Sequence, residues 1–345
     1  MGGGPLVPLP FRVSGGHPMA RSSSLSQKAD LPDATSIGFV HLGVTDLAVT
    51  GAFYDEVLGF RLAHQAGPTR YLSSDGNYPF HLVLTGQPGA RPPRRSAGLY
   101  HFAILYPSRE HLAQAVRRLL DVGWPIAGAS DHGVSEAIYL ADPEGNGIEL
   151  YVDRDRALWP IENSALVMPT RPLQIEGLLA LATGPWPGMA QGTRIGHTHL
   201  RVSDLAKAEA FYSGVLGFAV TVRGYPGALF FAAGGYHHHI GVNIWAGSHL
   251  APSTPEAPGL RTFAVHLPDR AALAQVVRRV QRARSALESA TDHGRSVACT
   301  VRDPDGIRVT LEADVPGGRG WQETPLPLDA FLRALEVAPI PAQAD

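Results

Sequence analysis

Cysteine is nearly missing from this 345-residue chain: Cys299 is the only one. A lone cysteine excludes an intrachain disulfide and a cysteine-based metal site, and it fits a reducing cytoplasm. Charge is sparse as well. Charged residues make up 17% of the chain and the formal net charge is −2, with a pI near 6.7. That balance argues against nucleic acid or an anionic membrane as a partner held by bulk electrostatics. No apolar run approaches the roughly eighteen residues that cross a bilayer. The first 34 residues are rich in Gly, Pro and Ser and lack the unbroken apolar stretch of a signal peptide. Residues 1–34 are therefore expected to form a mostly disordered extension, with Met19 as an alternative start.

What is present is enough for two ordinary domains: 44% hydrophobic residues and fifteen histidines. The chain repeats itself. Ile37 to Phe60, IGFVHLGVTDLAVTGAFYDEVLGF, aligns without a gap to Ile195 to Phe218, IGHTHLRVSDLAKAEAFYSGVLGF, with 15 of 24 positions identical. A second pair runs from Gly98 (GLYHFAILYPSREHLAQAVRRL) and Gly259 (GLRTFAVHLPDRAALAQVVRRV). It continues through DHGVSEAIYLADPEG from Asp131 and DHGRSVACTVRDPDG from Asp292. Two modules are thus duplicated as a pair, giving four.

Each module opens on a short alternating strand such as Val40–Val44, followed by Asp46 or Asp204 as a helix N-cap. An amphipathic helix carrying Phe53, Tyr54, Val57 and Leu58, or Phe211, Tyr212, Val215 and Leu216, then ends at Gly59 or Gly217. Strands separated by Gly, Pro and Asp turns close the module. The expected fold class is α+β, four βαβββ modules. The expected boundaries are modules one and two over 35–153, a linker over 154–193 with a short helix near Ile175–Ala182, modules three and four over 194–313, and a tail over 314–345 with a last helix around Leu328–Leu335.

A duplicated βαβββ module resembles the vicinal oxygen chelate superfamily, whose members include glyoxalase I, type I extradiol dioxygenases and metal-free drug-binding resistance proteins. The resemblance covers roughly residues 35–313. It implies two glyoxalase/extradiol dioxygenase-like domains and, taken alone, leaves the reaction open.

The histidines narrow it. His17, His64, His111 and His249 stand alone and are read as surface or satisfied core residues. Oxygen chemistry at a metal needs few protein ligands and open positions, and two histidines with one carboxylate provide that for Fe(II). The strand GLYHFAI holds His101 and the strand GNGIELYV holds Glu149, both among apolar neighbours where an unpaired polar group costs roughly 2–7 kcal/mol. The matching positions of module four are Thr262 and Thr310, so a single site is expected. In the extradiol family the remaining ligand follows the Gly of a first strand. That residue is His197 in module three and Phe39 in module one. The resemblance therefore implies a triad of His101, Glu149 and His197. The alternative third ligand is His41, two residues along the module-one strand, with its counterpart His199 lining the pocket.

Two further stretches carry family-implied roles. AGGYHHHIGVN holds His237, His238 and His239; the family's acid–base histidine matches His239 best, with His237 on the same face by alternation and both His237 and His238 beside the substrate. DHGVSEAIYL followed by DPEGNGIELY resembles the extradiol signature and implies His132 as a substrate hydrogen-bond partner and Tyr139 as the phenol facing the ring. The resemblance thus implies an Fe(II) enzyme, Mn(II) being the other metal that accepts these ligands. It would cleave a small aromatic diol with O2 to a 2-hydroxymuconic semialdehyde-type product, in the cytoplasm and with a homo-oligomer open to its sheet edges. A glyoxalase-like isomerase or lyase and a metal-free binding protein are the rival readings. Phe80, Phe230, Phe231 and Trp245 suggest an aromatic guest.

Overall fold

A computed structural model describes residues 29–337 apart from 92–94, 248–249, 253, 255–256 and 319. His17, His249 and residues 1–28 of the expected extension lie outside the described residues. The inner end of that extension is ordered: Asp30 N–H donates to the Gly217 carbonyl at 2.8 Å and Leu31 is buried in the core.

Module one comprises β1 (Ser36–Val44), α1 (Leu47–Ala52), β2 (Arg61–Ala66), β3 (Thr69–Ser73) and β4 (Leu82–Gly86). Module two comprises β5 (Gly98–Leu105), α2 (Arg109–Asp121), β6 (Gly128–Asp131), β7 (Ser135–Ala141) and β8 (Gly147–Asp153). Between the halves lie the two-residue strands β9 (Ile161–Glu162), β10 (Ala165–Leu166) and β11 (Arg171–Pro172), then α3 (Ile175–Leu179). Module three holds β12 (Arg194–Arg201), α4 (Leu205–Glu209), β13 (Ala219–Val222), β14 (Ala228–Ala232) and β15 (Ile240–Asn243). Module four holds β16 (Gly259–Leu267), α5 (Arg270–Arg282), β17 (Leu287–Asp292), β18 (Ser296–Arg302) and β19 (Arg308–Asp314), and the tail adds β20 (Thr324–Leu326) and α6 (Leu328–Ala334).

The caps form as expected: Asp46 accepts from the N–H groups of Ala48 and Val49, and Asp204 from those of Ala206 and Lys207. The helices differ from the expectation in one respect. In both copies of the FY…VLGF stretch the α-helix widens into a π-turn, over Phe53–Val57 and Ala210–Val215, with Leu58 N–H reaching the Phe53 carbonyl and Leu216 N–H that of Phe211. Gly59 and Gly217 then leave the helix at φ of 82° and 96°.

Strand pairing does not follow chain order. One nine-stranded sheet runs β2-β3-β4-β1-β16-β19-β18-β17-β20 and the other β11-β6-β7-β8-β5-β12-β15-β14-β13. Module one therefore shares a sheet with module four, and module two with module three, each through an antiparallel central pair, β1 with β16 and β5 with β12. The two modules within each half of the duplication are tied differently. Tyr54 donates to Asp142 Oδ2 at 3.0 Å, joining modules one and two, and Tyr212 donates to Asp303 Oδ2 at 2.9 Å, joining three and four. Both carboxylates also accept backbone N–H groups of their own DP-x-G turn. One apolar core spans both sheets, with Val40 and Leu42 of β1, Phe102 and Ile104 of β5, Leu200 of β12 and Phe263 and Val265 of β16. The opposite faces of the central strands carry His101 on β5 and His197 and His199 on β12, against Phe39 and His41 on β1 and Thr262 on β16, and there the two sheets diverge.

The linker and the tail do the same work. β11 extends the second sheet on β6 at Asp131 and Ser130, and β20 extends the first on β17 at Asp292 to Ala290. Pro172 is admissible because β11 is an edge strand. Each half of the duplication thus ends in a strap that closes its sheet.

Candidate metal centre

Three neighbouring strands, β8, β5 and β12, carry the site. Glu149 lies beside Ala103 in the parallel β5–β8 register, and His101 lies opposite His199 in the antiparallel β5–β12 register. Alternation alone puts His197 and His199 on one face of β12. Two bulges adjust it. Gly196 is the extra residue of β12 and Tyr100 the extra residue of β5. The second bulge turns Tyr100 onto the site face, with its ring 5.2 Å from that of His199 and 5.3 Å from that of His101. Gly241 on β15 gives His199 its space, since a Cβ there would meet the imidazole Cγ at 3.0 Å.

His101, Glu149 and His197 converge. Their ligand atoms lie within 4.8 Å of one another and all three are buried. His101 Nε2 is 3.0 Å and His197 Nε2 3.2 Å from the same carboxylate oxygen, Glu149 Oε2. His101 Nε2 nevertheless has no hydrogen bond of acceptable angle and is a buried orphan, as is His199 Nε2. Such groups cost on the order of 1–3 kcal/mol each when nothing satisfies them. An ion drawing on both imidazole nitrogens and the carboxylate would remove the cost at His101. Two imidazoles and one carboxylate form the donor set that suits divalent iron or manganese.

The protonation states fit. Burial lowers His197 to about 4 in spite of the facing Glu149, so its imidazole is neutral at physiological pH. Burial opposes charge on Glu149, and the His197 and His101 side chains outweigh it and hold the carboxyl well below its usual range. Burial also drives His199 and His238 well below the usual histidine range, the nearby His101 and His197 adding to it.

Tyr139 is the cross-strand partner of Glu149, and its oxygen lies 2.8 Å from His132 Nε2. His132 Nδ1 sits 2.9 Å from the Pro169 carbonyl, which can only accept. The proton is therefore on Nδ1, Nε2 is the acceptor, and Tyr139 donates to it. Burial and the neighbouring Glu149 push the Tyr139 phenol well above its usual range, so it stays protonated.

The three consecutive histidines divide differently from the alternation expected of a strand. The regular strand begins only at Ile240, and residues 236–239 form an irregular, bent stretch between the turn at 234–235 and the strand. His238 lies against the centre, its ring 4.0 Å from that of His197 and 5.0 Å from that of Phe230. His239, expected at the substrate, instead accepts from Ala233 N–H at 3.3 Å and packs against Tyr236 and Phe218. His237 is buried behind His238 and faces Asp153 at 2.9 Å. His41 is in the other sheet, 2.8 Å from Thr85 Oγ1. His64 lies beside Tyr71, and His111 pairs with its helix cap Ser108.

The sequence reading missed Asp153, Tyr100 and Pro169. Asp153 was findable, since it sits four residues beyond Glu149 on one strand, on the same side. Tyr100 depends on a bulge and Pro169 on the path of the linker, neither of which has a local signal. Phe230 and Trp245 do reach the site, with rings 5.6 Å and 5.4 Å from His199, whereas Phe80 belongs to the other sheet's cluster and Phe231 to the shared core.

The chain matches the model of the Glyoxalase/Bleomycin resistance protein/Dioxygenase superfamily twice, over residues 36–150 and 194–311. It is 44% identical over 284 residues to a catechol-2,3-dioxygenase of Bacillus subtilis, a match covering 80% of this chain and 97% of that one. A biphenyl-2,3-diol 1,2-dioxygenase of Rhodococcus globerulus is 30% identical over 115 residues, 32% of this chain and 60% of its own. Among solved structures, glyoxalase I of Zea mays superposes with a TM-score of 0.51 at 17% identity, over 88% of this chain and 96% of that one, a likeness of fold. Among the described residues no helix is long and apolar enough to cross a membrane.

Proposed function

This chain belongs to the Glyoxalase/Bleomycin resistance protein/Dioxygenase superfamily and is a catechol 2,3-dioxygenase-like oxidoreductase, and from that membership we propose that it cleaves a small aromatic diol beside its hydroxyls using Fe(II) and O2. The observation that carries the reading is the convergence of His101, Glu149 and His197, with the rings of Tyr100, Phe230 and Trp245 grouped around the neighbouring His199. When bound there, Fe(II) supplies a chelation point for two vicinal oxygens and the activation of dioxygen.

The chain's own residues account for the rest. Tyr100, Phe230 and Trp245 hold the ring, and His199 lies between them. Tyr139, fixed by its donation to His132, presents a protonated phenol above Glu149 and orients the diol. His238 takes the acid–base role that the sequence assigned to His239, because it is His238 that touches His197 and is kept neutral by burial. A neutral imidazole accepts a diol proton and returns it as the ring opens. Both oxygen atoms of O2 enter the product, a 2-hydroxymuconic semialdehyde.

The test is anaerobic Fe(II) loading followed by catechol and air. Equimolar oxygen uptake with a yellow ring-fission product supports the proposal. A fully loaded enzyme that consumes no oxygen with any simple catechol sinks it, and metal-dependent turnover without oxygen uptake would indicate glyoxalase-like chemistry. Loading with Mn(II) in parallel separates the two metals.

A further inference from the structure

Behind His238 runs a hydrogen-bonded chain that ends at the protein surface. Asp153 Oδ1 lies 2.9 Å from His237 Nε2, and His237 Nδ1 lies 2.7 Å from His238 Nδ1. Tyr236 donates to the same carboxylate, 3.1 Å from Oδ1 and 3.0 Å from Oδ2, and the Tyr151 hydroxyl is 2.7 Å from that of Tyr236. His237 is completely buried, while the Asp153 side chain is 28% exposed and borders a cavity of about 290 Å³ together with Arg154, Arg156 and Arg194. The backbone is equally fixed: Thr221 Oγ1 donates to the His237 carbonyl at 2.6 Å, and Thr198 N–H to that of His239 at 3.0 Å.

The direction of each bond follows from what each group can do. A carboxylate only accepts, so His237 carries its proton on Nε2. With one proton on that ring, Nδ1 is bare and must accept. His238 is then protonated on Nδ1, which leaves its Nε2 as the bare, accepting nitrogen of a neutral ring. We propose that Asp153 is a positioning residue that acts through His237 to fix the tautomer of His238, so that His238 offers the centre an acceptor nitrogen. Neither Asp153 nor His237 touches the substrate. The proposal rests on the reading of His238 as the acid–base residue only for its kinetic consequence; the tautomers stand by themselves.

The experiment is a long-range ¹H–¹⁵N correlation spectrum of the full chain with labelled histidine, at pH 8, metal-free and again loaded with diamagnetic Zn(II). The expected result is His237 protonated at Nε2 and His238 at Nδ1 in both. His238 protonated at Nε2 overturns the proposal. Asp153→Ala should convert His238 to a mixture containing the Nε2–H form and lower kcat by roughly 10–100-fold, the usual penalty for losing a group that orients another. KM for catechol should stay within about twofold, as the residue is remote from the ring. An Asp153→Ala chain that folds and keeps His238 wholly Nδ1-protonated also overturns it. If the tautomers are as stated but His238→Ala keeps its full kcat, the role of Asp153 on the imidazoles stands and the acid–base reading of His238 fails.

Discussion

Thr262 Oγ1 lies 2.9 Å from Thr310 Oγ1, at the positions that His101 and Glu149 occupy in the other sheet. Two hydroxyls satisfy each other where an imidazole and a carboxylate fail to. The remaining ligand position is Phe39, which joins Tyr71, Tyr78, Phe80 and Trp321 in an apolar cluster. Trp321, from the tail, stacks on His293 with centroids 4.3 Å apart and planes 7° off parallel. Phe39, Tyr78, Phe80 and Trp321 line a cavity of about 210 Å³ there, in place of a ligand triad.

One metal per chain is the expected stoichiometry, since among the described residues one such ligand cluster is found. Phe39→His alone should leave the stoichiometry at one, because a single imidazole facing two threonines is not a divalent site. Elemental analysis after Fe(II) loading checks it, and a second equivalent would contradict the assignment of Thr262 and Thr310 as non-ligands.

At the centre itself, alanine at His101, Glu149 or His197 should abolish stoichiometric metal. His41→Ala should not, since its imidazole is engaged with Thr85 in the other sheet. Equilibrium dialysis against Fe(II) or Mn(II) distinguishes the sets, and loss of metal in His41→Ala with His197→Ala intact would reverse the assignment.

His238 and His239 make a matched pair. His238→Ala should lower kcat by roughly 10²–10⁴-fold, the usual contribution of a general acid–base group. His239→Ala should leave kcat within a few fold and act on stability instead, through the lost acceptor for Ala233 N–H and a void beside Phe218, roughly 1–3 kcal/mol. Steady-state kinetics and urea unfolding of both variants read the two effects separately.

Asp303 gives a pH dependence away from the centre. Burial raises its carboxyl to about 7, against the bonds it accepts from Ile307 N–H and Tyr212. In the unfolded chain the group ionises near pH 4. Between about pH 4 and pH 7 the folded state therefore holds one more proton, and this group's stabilisation falls by roughly 1.4 kcal/mol per pH unit as pH rises. It is full below pH 4 and gone above pH 7. Asp303→Asn removes the proton, so the stability difference, variant minus wild type, should grow from pH 5 to pH 7. Urea midpoints across that range test it, and a difference that stays flat or shrinks contradicts the assignment.

Much of this was legible in the sequence because the repeats were. Asp46 and Asp204 announced helix starts, and Thr262 and Thr310, read against His101 and Glu149, announced one site. What the sequence hid was relational. Two gapless alignments say that modules are alike and not which of them share a sheet, and β1 finds its partner more than two hundred residues away at β16. The histidine run does not follow strand alternation because it lies in the bent stretch ahead of β15, and the linker reads as a spacer although the Pro169 carbonyl sets the tautomer of His132.

That strand order has a consequence for a chain made from its N-terminus. Every strand of the site-bearing sheet, β5 to β8 and β11 to β15, lies between Gly98 and Asn243. Of the described strands β1 comes first in the chain, and its edge waits for β16, more than two hundred residues later; non-local pairing of that kind is slow and aggregation-exposed. All the strands that carry the ligands thus precede the fourth module in the chain, whereas the edge of β1 is covered only by a strand of that last module.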